Sequence, residues 1–202
     1  MTVDYQNLND EELARESQAG SLTAFEELVR RFENRIYAFL FQCCGNATDA
    51  RELTQDTFVR AFQALEQFDI RRSFAPWLFT IARRKSIDHF RARQPVVEDS
   101  APEQTDWNDP AALLTQREEA QNVWSVARRA LPPGQFQALW LQYVEEMNVA
   151  QIATALGKTQ THVKVMLWRA RHILSKKLPA PRRLAETPAA TSRTAIIKGG
   201  SL

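Results

Sequence analysis

From Met147 to Leu178 the chain reads MNVAQIATALGKTQTHVKVMLWRARHILSKKL, and this stretch limits the fold more than any other. Asn148 and Gln151 stand three apart, the spacing at which a cap residue and its reciprocating partner satisfy each other's backbone N–H at a helix start. Ile152, Ala153 and Leu156 then share one helical face, and Gly157 follows where a helix stop in the left-handed conformation favours glycine. Thr159 or Gln160 opens a second helix, with Val163, Leu167, Ala170 and Leu174 as its inward stripe. Ala153 supplies a small side chain where the two helices cross closely. The layout is a helix-turn-helix, a motif whose second helix enters the DNA major groove.

Charge supports that reading. No Asp or Glu occurs between Met147 and Ala185, whereas Lys158, Lys164, Arg169, Arg171, Lys176, Lys177, Arg182 and Arg183 all lie within it. The net charge of +2 conceals this segregation. Lys and Arg at phosphate distance release counterions and supply the sequence-independent part of DNA affinity. A basic solvated face alone would say little; a basic face on a helix-turn-helix says DNA. The residues placed to touch it are Lys158, Thr159, Gln160, Thr161, His162, Lys164, Val165, Trp168, Arg169 and Arg171.

The remaining chain reads as helix. Asn9 and Glu12 offer a capping box for a short helix ending near Gly20. Leu22, Phe25, Leu28, Val29, Phe32, Ile36, Phe39, Leu40 and Cys43 stripe the next, which stops at Gly45. Asn46 or Thr48 caps a third, with Ala50, Leu53, Thr57, Phe58, Ala61, Phe62 and Leu65 inward. Ser73 caps a fourth over Phe74–Arg93, whose Pro76 falls in the first turn, where a missing N–H costs little. Later, Val123, Val126, Ala127 and Ala130 stripe one helix, and Phe136, Leu139, Trp140 and Tyr143 another. The expected fold is all-α: two small bundles, residues 1–93 and 118–178, the second ending in the helix-turn-helix. Between them, residues 94–117 carry Pro95, Pro102 and Pro110 with five acids, and are expected to form a flexible acidic linker. The tail, 179–202, has no periodicity and is expected to be disordered.

Adjacent Cys43 and Cys44 lack any C-x-x-C or Cys/His company, so buried thiols in a reducing compartment are expected rather than a metal or redox site. No leader-like start and no apolar run of membrane-spanning length is present, which gives a cytoplasmic expectation without membrane insertion.

The helix over 73–93, SFAPWLFTIARRKSIDHFRAR, is the second informative place. An apolar face at Phe74, Trp77, Leu78 and Ile81 adjoins Arg83, Arg84, Lys85, His89, Arg91 and Arg93, with Asp88 the only acid. Cations interleaved with aromatic rings suit melted DNA, because cations meet phosphates and rings meet unstacked bases. Trp77 itself is expected in the core. On the third helix, Asp49, Glu52 and Asp56 make an acidic edge with Arg60 one turn on, which suits a protein partner on a face apart from the DNA.

Taken in order, these segments resemble the extracytoplasmic-function (ECF) sigma factors of bacterial RNA polymerase. The matches are Asp49-Ala50 with Leu53, Gln55, Phe58 and Ala61; Phe74, Trp77-Leu78, Ile81-Ala82-Arg83, Ile87-Asp88 and Arg91; and Ile152-Ala153, Leu156-Gly157, Val163-Lys164, Leu167, Arg169-Ala170-Arg171 and Leu174. The resemblance implies a sigma factor, not an enzyme, with no cofactor or metal. It implies that Asp49, Glu52, Gln55, Asp56, Phe58 and Arg60 bind core polymerase at the β′ clamp helices, and that the C-terminal domain meets the β-flap. It implies that 159–171 reads the −35 element in duplex DNA, and that 73–93, with the loop around Asp69–Ser73, contacts and melts the −10 element. Many members are held by an anti-sigma factor; no motif for one is evident. Where the family usually reads Ser-Arg, this chain has Val165-Met166, removing two donors from the recognition helix. A stand-alone helix-turn-helix regulator is the alternative, but it has no need of the third and fourth helices.

Overall fold

The computed structural model describes residues 4–93 and 116–177, which form helices and the turns between them. A first group comprises α1 (Asp10–Gln18), α2 (Leu22–Cys44), α3 (Ala47–Ala64) and α4 (Phe74–Arg93), with short 3-10 turns at Tyr5–Asn7 and Leu65–Gln67. A second comprises α5 (Gln116–Ala130), α6 (Pro133–Tyr143), α7 (Val149–Leu156) and α8 (Gln160–Lys177). The all-α fold in two groups matches the expectation. The linker falls outside the described residues except for its last two, which open α5, and the tail lies outside them entirely.

Local chemistry sets most helix ends. Asn9 and Glu12 close a capping box on α1. Gly45 ends α2 at φ 70°, a left-handed conformation that a Cβ would penalise. Asn46 caps α3, its Oδ1 accepting from the N–H of Thr48 at 2.8 Å and of Asp49 at 3.3 Å. The start of α4 differs from the expected Ser73 cap. There Glu11 Oε1, from α1, accepts the Phe74 N–H at 2.9 Å. A carboxylate suits the positive end of the helix dipole, so a tertiary contact replaces a local one.

In the first group, Leu13, Leu28, Phe32, Ile36, Phe39, Leu40, Phe74, Leu78 and Phe79 are almost wholly buried. Phe32 meets Phe74 edge-on at 5.5 Å and Phe39 meets Phe79 at 5.3 Å. Such ring pairs add about 0.5–1.5 kcal/mol each beyond area burial. Trp77, half-buried, packs on Phe68 and Phe74. Two expected core residues lie outside. Leu22, in the first turn of α2, and Phe62, in the last turns of α3, are 59% and 51% exposed. Phe62 meets Phe25 edge-on, with ring centroids 5.0 Å apart. In the second group Leu139, Leu141, Ile152, Leu156, Val163 and Leu167 form the core, beside the rings of Trp124, Phe136 and Trp140. Val123 opens its helical stripe and Tyr143 closes its own, yet both remain exposed.

The two groups pack against one another, chiefly α4 on α7 and α2 against α6. Arg35 on α2 pairs with Glu145, just after α6, at 2.8 Å; the Glu145 side chain is only 2% exposed. Arg83 Nε donates to Gln137 Oε1 at 3.3 Å, and Thr80 Oγ1 donates to the Thr154 carbonyl at 3.3 Å. No periodicity in the sequence announces this joint. Cys43 sits beside it, where Gln137 Nε2 donates to its Sγ at 3.5 Å. Cys43 as a residue is only partly covered, but desolvation of its sulfur pushes the thiol up to about 11, which keeps it protonated and unreactive.

Among the described residues no helix is long and apolar enough to cross a membrane, and no His/Cys/Asp/Glu cluster could hold a metal ion.

Candidate nucleic-acid interface

The turn between α7 and α8 is built as its residues dictate. Asn148 Oδ1 accepts from the Gln151 N–H at 3.0 Å, and Gln151 Oε1 accepts from the Asn148 N–H at 2.9 Å, completing the capping box. Gly157 ends α7 at φ 61°. Thr159 then accepts the His162 N–H on its Oγ1 at 3.2 Å, so it caps α8. With these ends set, α8 buries Val163, Met166, Leu167 and Ala170 against α5, α6 and α7.

Its other side is open. Lys158, Thr159, Gln160, Thr161, His162, Lys164, Val165, Trp168 and Arg169 are all exposed, on the turn and along one side of α8. Trp168, 63% exposed, stacks on His172 at 5.6 Å with the rings 4° from parallel. Arg171 is exposed but engaged. Its Nη2 donates to Gln142 Oε1 at 2.7 Å, and its Nε donates to Tyr143 Oη at 3.2 Å. Met166 corrects the sequence reading of the Val165-Met166 pair. It is 9% exposed, and a Cβ on Gly134 would come within 3.2 Å of its Cε. Met166 therefore packs inward beside Gly134, and of the pair only Val165 stands on the exposed face.

On α4 the residues expected to touch DNA divide. Arg84, Asp88 and Arg91 are exposed at four- and three-residue spacing, on one face. Three others face protein. Arg83 is half-buried against α6, and desolvation lowers its pKa below the ordinary arginine value. Lys85 Nζ lies 3.0 Å from Asp56, and His89 Nε2 lies 3.3 Å from Asp49, both on α3. The side chain of Arg93 is outside the described residues. Before α4, Asp69 accepts from the backbone N–H, Nε and Nη2 of Arg71 at 3.1, 2.9 and 3.0 Å. The hydrogen bonds from Arg71 hold its carboxyl down to about 2 and give the loop one shape.

The α3 edge is also split. Glu52, Gln55, Asp56 and Arg60 are exposed as expected. Asp49, 6% exposed, is corrected from the acidic edge to an inward-facing residue, while Phe58, 8% exposed, lies inward as its stripe predicts and is not open to a partner. Helical geometry explains both: Phe58 shares the stripe of Leu53 and Ala61, and Asp49 turns towards His89 on the neighbouring helix. Sequence reasoning missed Arg35, Gln137, Gln142 and Glu145. Each is a lone polar residue whose partner is remote in sequence, and no pattern marks it.

Comparison with known proteins bears on the whole arrangement. The family model for Sigma-70 region 2 matches residues 28–96, and that for Sigma-70 region 4 matches residues 127–174. The RNA polymerase sigma factor NccH of Alcaligenes xylosoxydans xylosoxydans is 32% identical over 178 residues, covering 84% of this chain and 94% of that protein. The ECF RNA polymerase sigma factor RpoE of Cereibacter sphaeroides is 31% identical over 164 residues, covering 75% of this chain and 87% of its own. The structure of CnrH in complex with the cytosolic domain of CnrY aligns with a TM-score of 0.64 and 28% identity, over 83% of this chain and 96% of that one. A protein with both matched regions in this order, on a fold shared with such factors, belongs to the ECF family of sigma factors and recognises promoters for RNA polymerase.

Proposed function

We propose that α8 enters the −35 major groove through Thr159–Arg171, while the exposed face of α4 and the Asp69–Ser73 loop engage the −10 element as it melts. The observation that carries this is the wholly solvent-facing, acid-free side of α8, set by caps at both ends of the preceding turn. Arg84 and Arg91 are the α4 cations ready for phosphate; Arg83, Lys85 and His89 become available once their protein partners let go. Glu52, Gln55, Asp56 and Arg60 dock on the β′ clamp helices of core polymerase, and the second group meets the β-flap.

On this reading residues 1–93 and 118–178 act as two functional units tethered by 94–117, in the cytoplasm, with chemistry left to the polymerase. The packing of α4 on α7 is then a resting arrangement of the free protein. CnrH, the similar structure, is in complex with the cytosolic domain of CnrY, which supports a protein partner here besides polymerase, an anti-sigma factor on the proposed reading.

Run-off transcription with bacterial core polymerase on a genomic fragment pool tests the reading. Discrete transcripts that need this protein, and vanish with Asp56→Arg, are expected. Tight duplex binding with no transcript from any fragment would overturn it in favour of a stand-alone regulator.

A further inference from the structure

The exposed side of α8 is not uniformly polar. Thr161, Val165, Trp168 and His172 recur at four, three and four residues, so they form one ridge along the helix. It stands opposite the buried stripe of Val163, Met166, Leu167 and Ala170. Cations flank it: Lys164 and Arg171 on one side, Arg169 and Lys176 on the other. Val165 and Trp168 are 41% and 63% exposed, and the parallel stack on His172 holds the indole in place.

A helix in the major groove points its central ridge at base edges and its flanks at the two phosphate strands. Reading guanine or adenine there takes Arg, Lys, Asn or Gln aimed at the bases. The middle of this ridge has none of these. The apolar feature that a base pair offers in that groove is the C5-methyl of thymine. We propose that this ridge reads the −35 element through thymine methyl groups, with Val165 and Trp168 as the specificity-determining residues. The inference rests on the major-groove placement of α8. Covering these two side chains also removes apolar surface that otherwise stays in water. The cations on both flanks and the absence of acids suit DNA rather than a protein partner for the ridge.

The test uses holoenzyme assembled from the full chain and core polymerase. It selects its −35 sequence from promoters randomised in that window, and the chosen sequence is rebuilt with deoxyuridine in place of each thymine, which removes only the methyl. At least one thymine on either strand is expected to be selected. Its replacement should weaken promoter binding about fourfold per contacted methyl, the equivalent of roughly 0.8 kcal/mol per buried methylene-sized group. V165A or W168A should bind more weakly and lose part of that sensitivity. A selected sequence indifferent to the methyls would overturn the inference and leave the sigma reading standing. So would wild-type DNA affinity in both variants, which would assign the ridge to a protein partner. Failure to select any −35 sequence would remove the major-groove placement and the inference with it.

Discussion

The two helices proposed to meet DNA are held in opposite ways. α8 packs one face on its own group and leaves the other to solvent, with Lys164, Val165, Trp168 and Arg169 exposed. α4 is packed by α1, α2 and α3, and by α7 from the other group, and several of its cations already have protein partners. Asp56 and Asp49 on α3 face Lys85 and His89, while Arg83 lies against Gln137. On the proposed reading, the duplex-reading surface is thus open in the free fold, whereas the surface for melted DNA is partly engaged by protein. The restraints lie on two surfaces, α3 and the joint between the groups, and on the proposed reading α3 is also the surface that polymerase engages.

The joint offers the largest way to break this contrast. Arg35→Ala leaves the Glu145 carboxylate buried without its cation. Losing one partner of a buried pair costs about 3–5 kcal/mol, less here because Arg35 is 40% exposed; about 2 kcal/mol is expected. Probes on α4 and α7 should report separation of the groups or a lowered Tm, with duplex binding through α8 unchanged. An unaltered distance and melting temperature would show that the joint does not depend on this pair.

Acidity sharpens the same point. Burial raises the Glu145 carboxyl above its ordinary 4.5, with Arg35 pulling the other way. A carboxyl raised on folding leaves the native state holding more protons, so this group's contribution is most favourable below about pH 4.5 and declines as pH rises through the raised value. Glu145→Gln should remove that decline from the variant alone, so the variant gains stability relative to wild type as pH rises over the same range. A difference that is flat with pH would mean that Glu145 does not titrate abnormally.

The smallest effect concerns α3. Asp56→Asn frees Lys85, and a half-exposed pair of this kind is worth about 0.2–1 kcal/mol. Single-stranded −10 DNA should bind the free protein up to about fivefold more tightly by anisotropy, even as affinity for core polymerase falls. Equal DNA affinity in both proteins would deny the coupling of the two surfaces.

Much of this was legible before any coordinates. The capping boxes at Asn9 and Asn148, the left-handed glycines at positions 45 and 157, and the stripes of α2 and α8 follow from local rules, because a helix end or face is decided within one or two turns. The basic, acid-free α8 face follows from composition alone. Leu22, Phe62 and Tyr143 fit their stripes yet stay exposed, and Asp49 stands on the acidic edge in sequence yet turns inward to His89, because periodicity sets a face and not whether a neighbour covers it. Met166 looked like a lost DNA contact and is a core residue beside Gly134.

The sequence by itself determined the helices, their caps, the order of the matched segments and the side on which α8 carries its cations. Each depends on residues a few positions apart, where hydrogen-bond geometry and periodicity act without reference to the rest of the chain. Only the tertiary structure decided which cations are free. Arg35 finds Glu145 across 110 positions, Glu11 caps α4 across 63, and Arg83 meets Gln137 across 54. A lone polar residue carries no sign of so distant a partner, and pairing of this kind exists only once two packed surfaces bring it within reach.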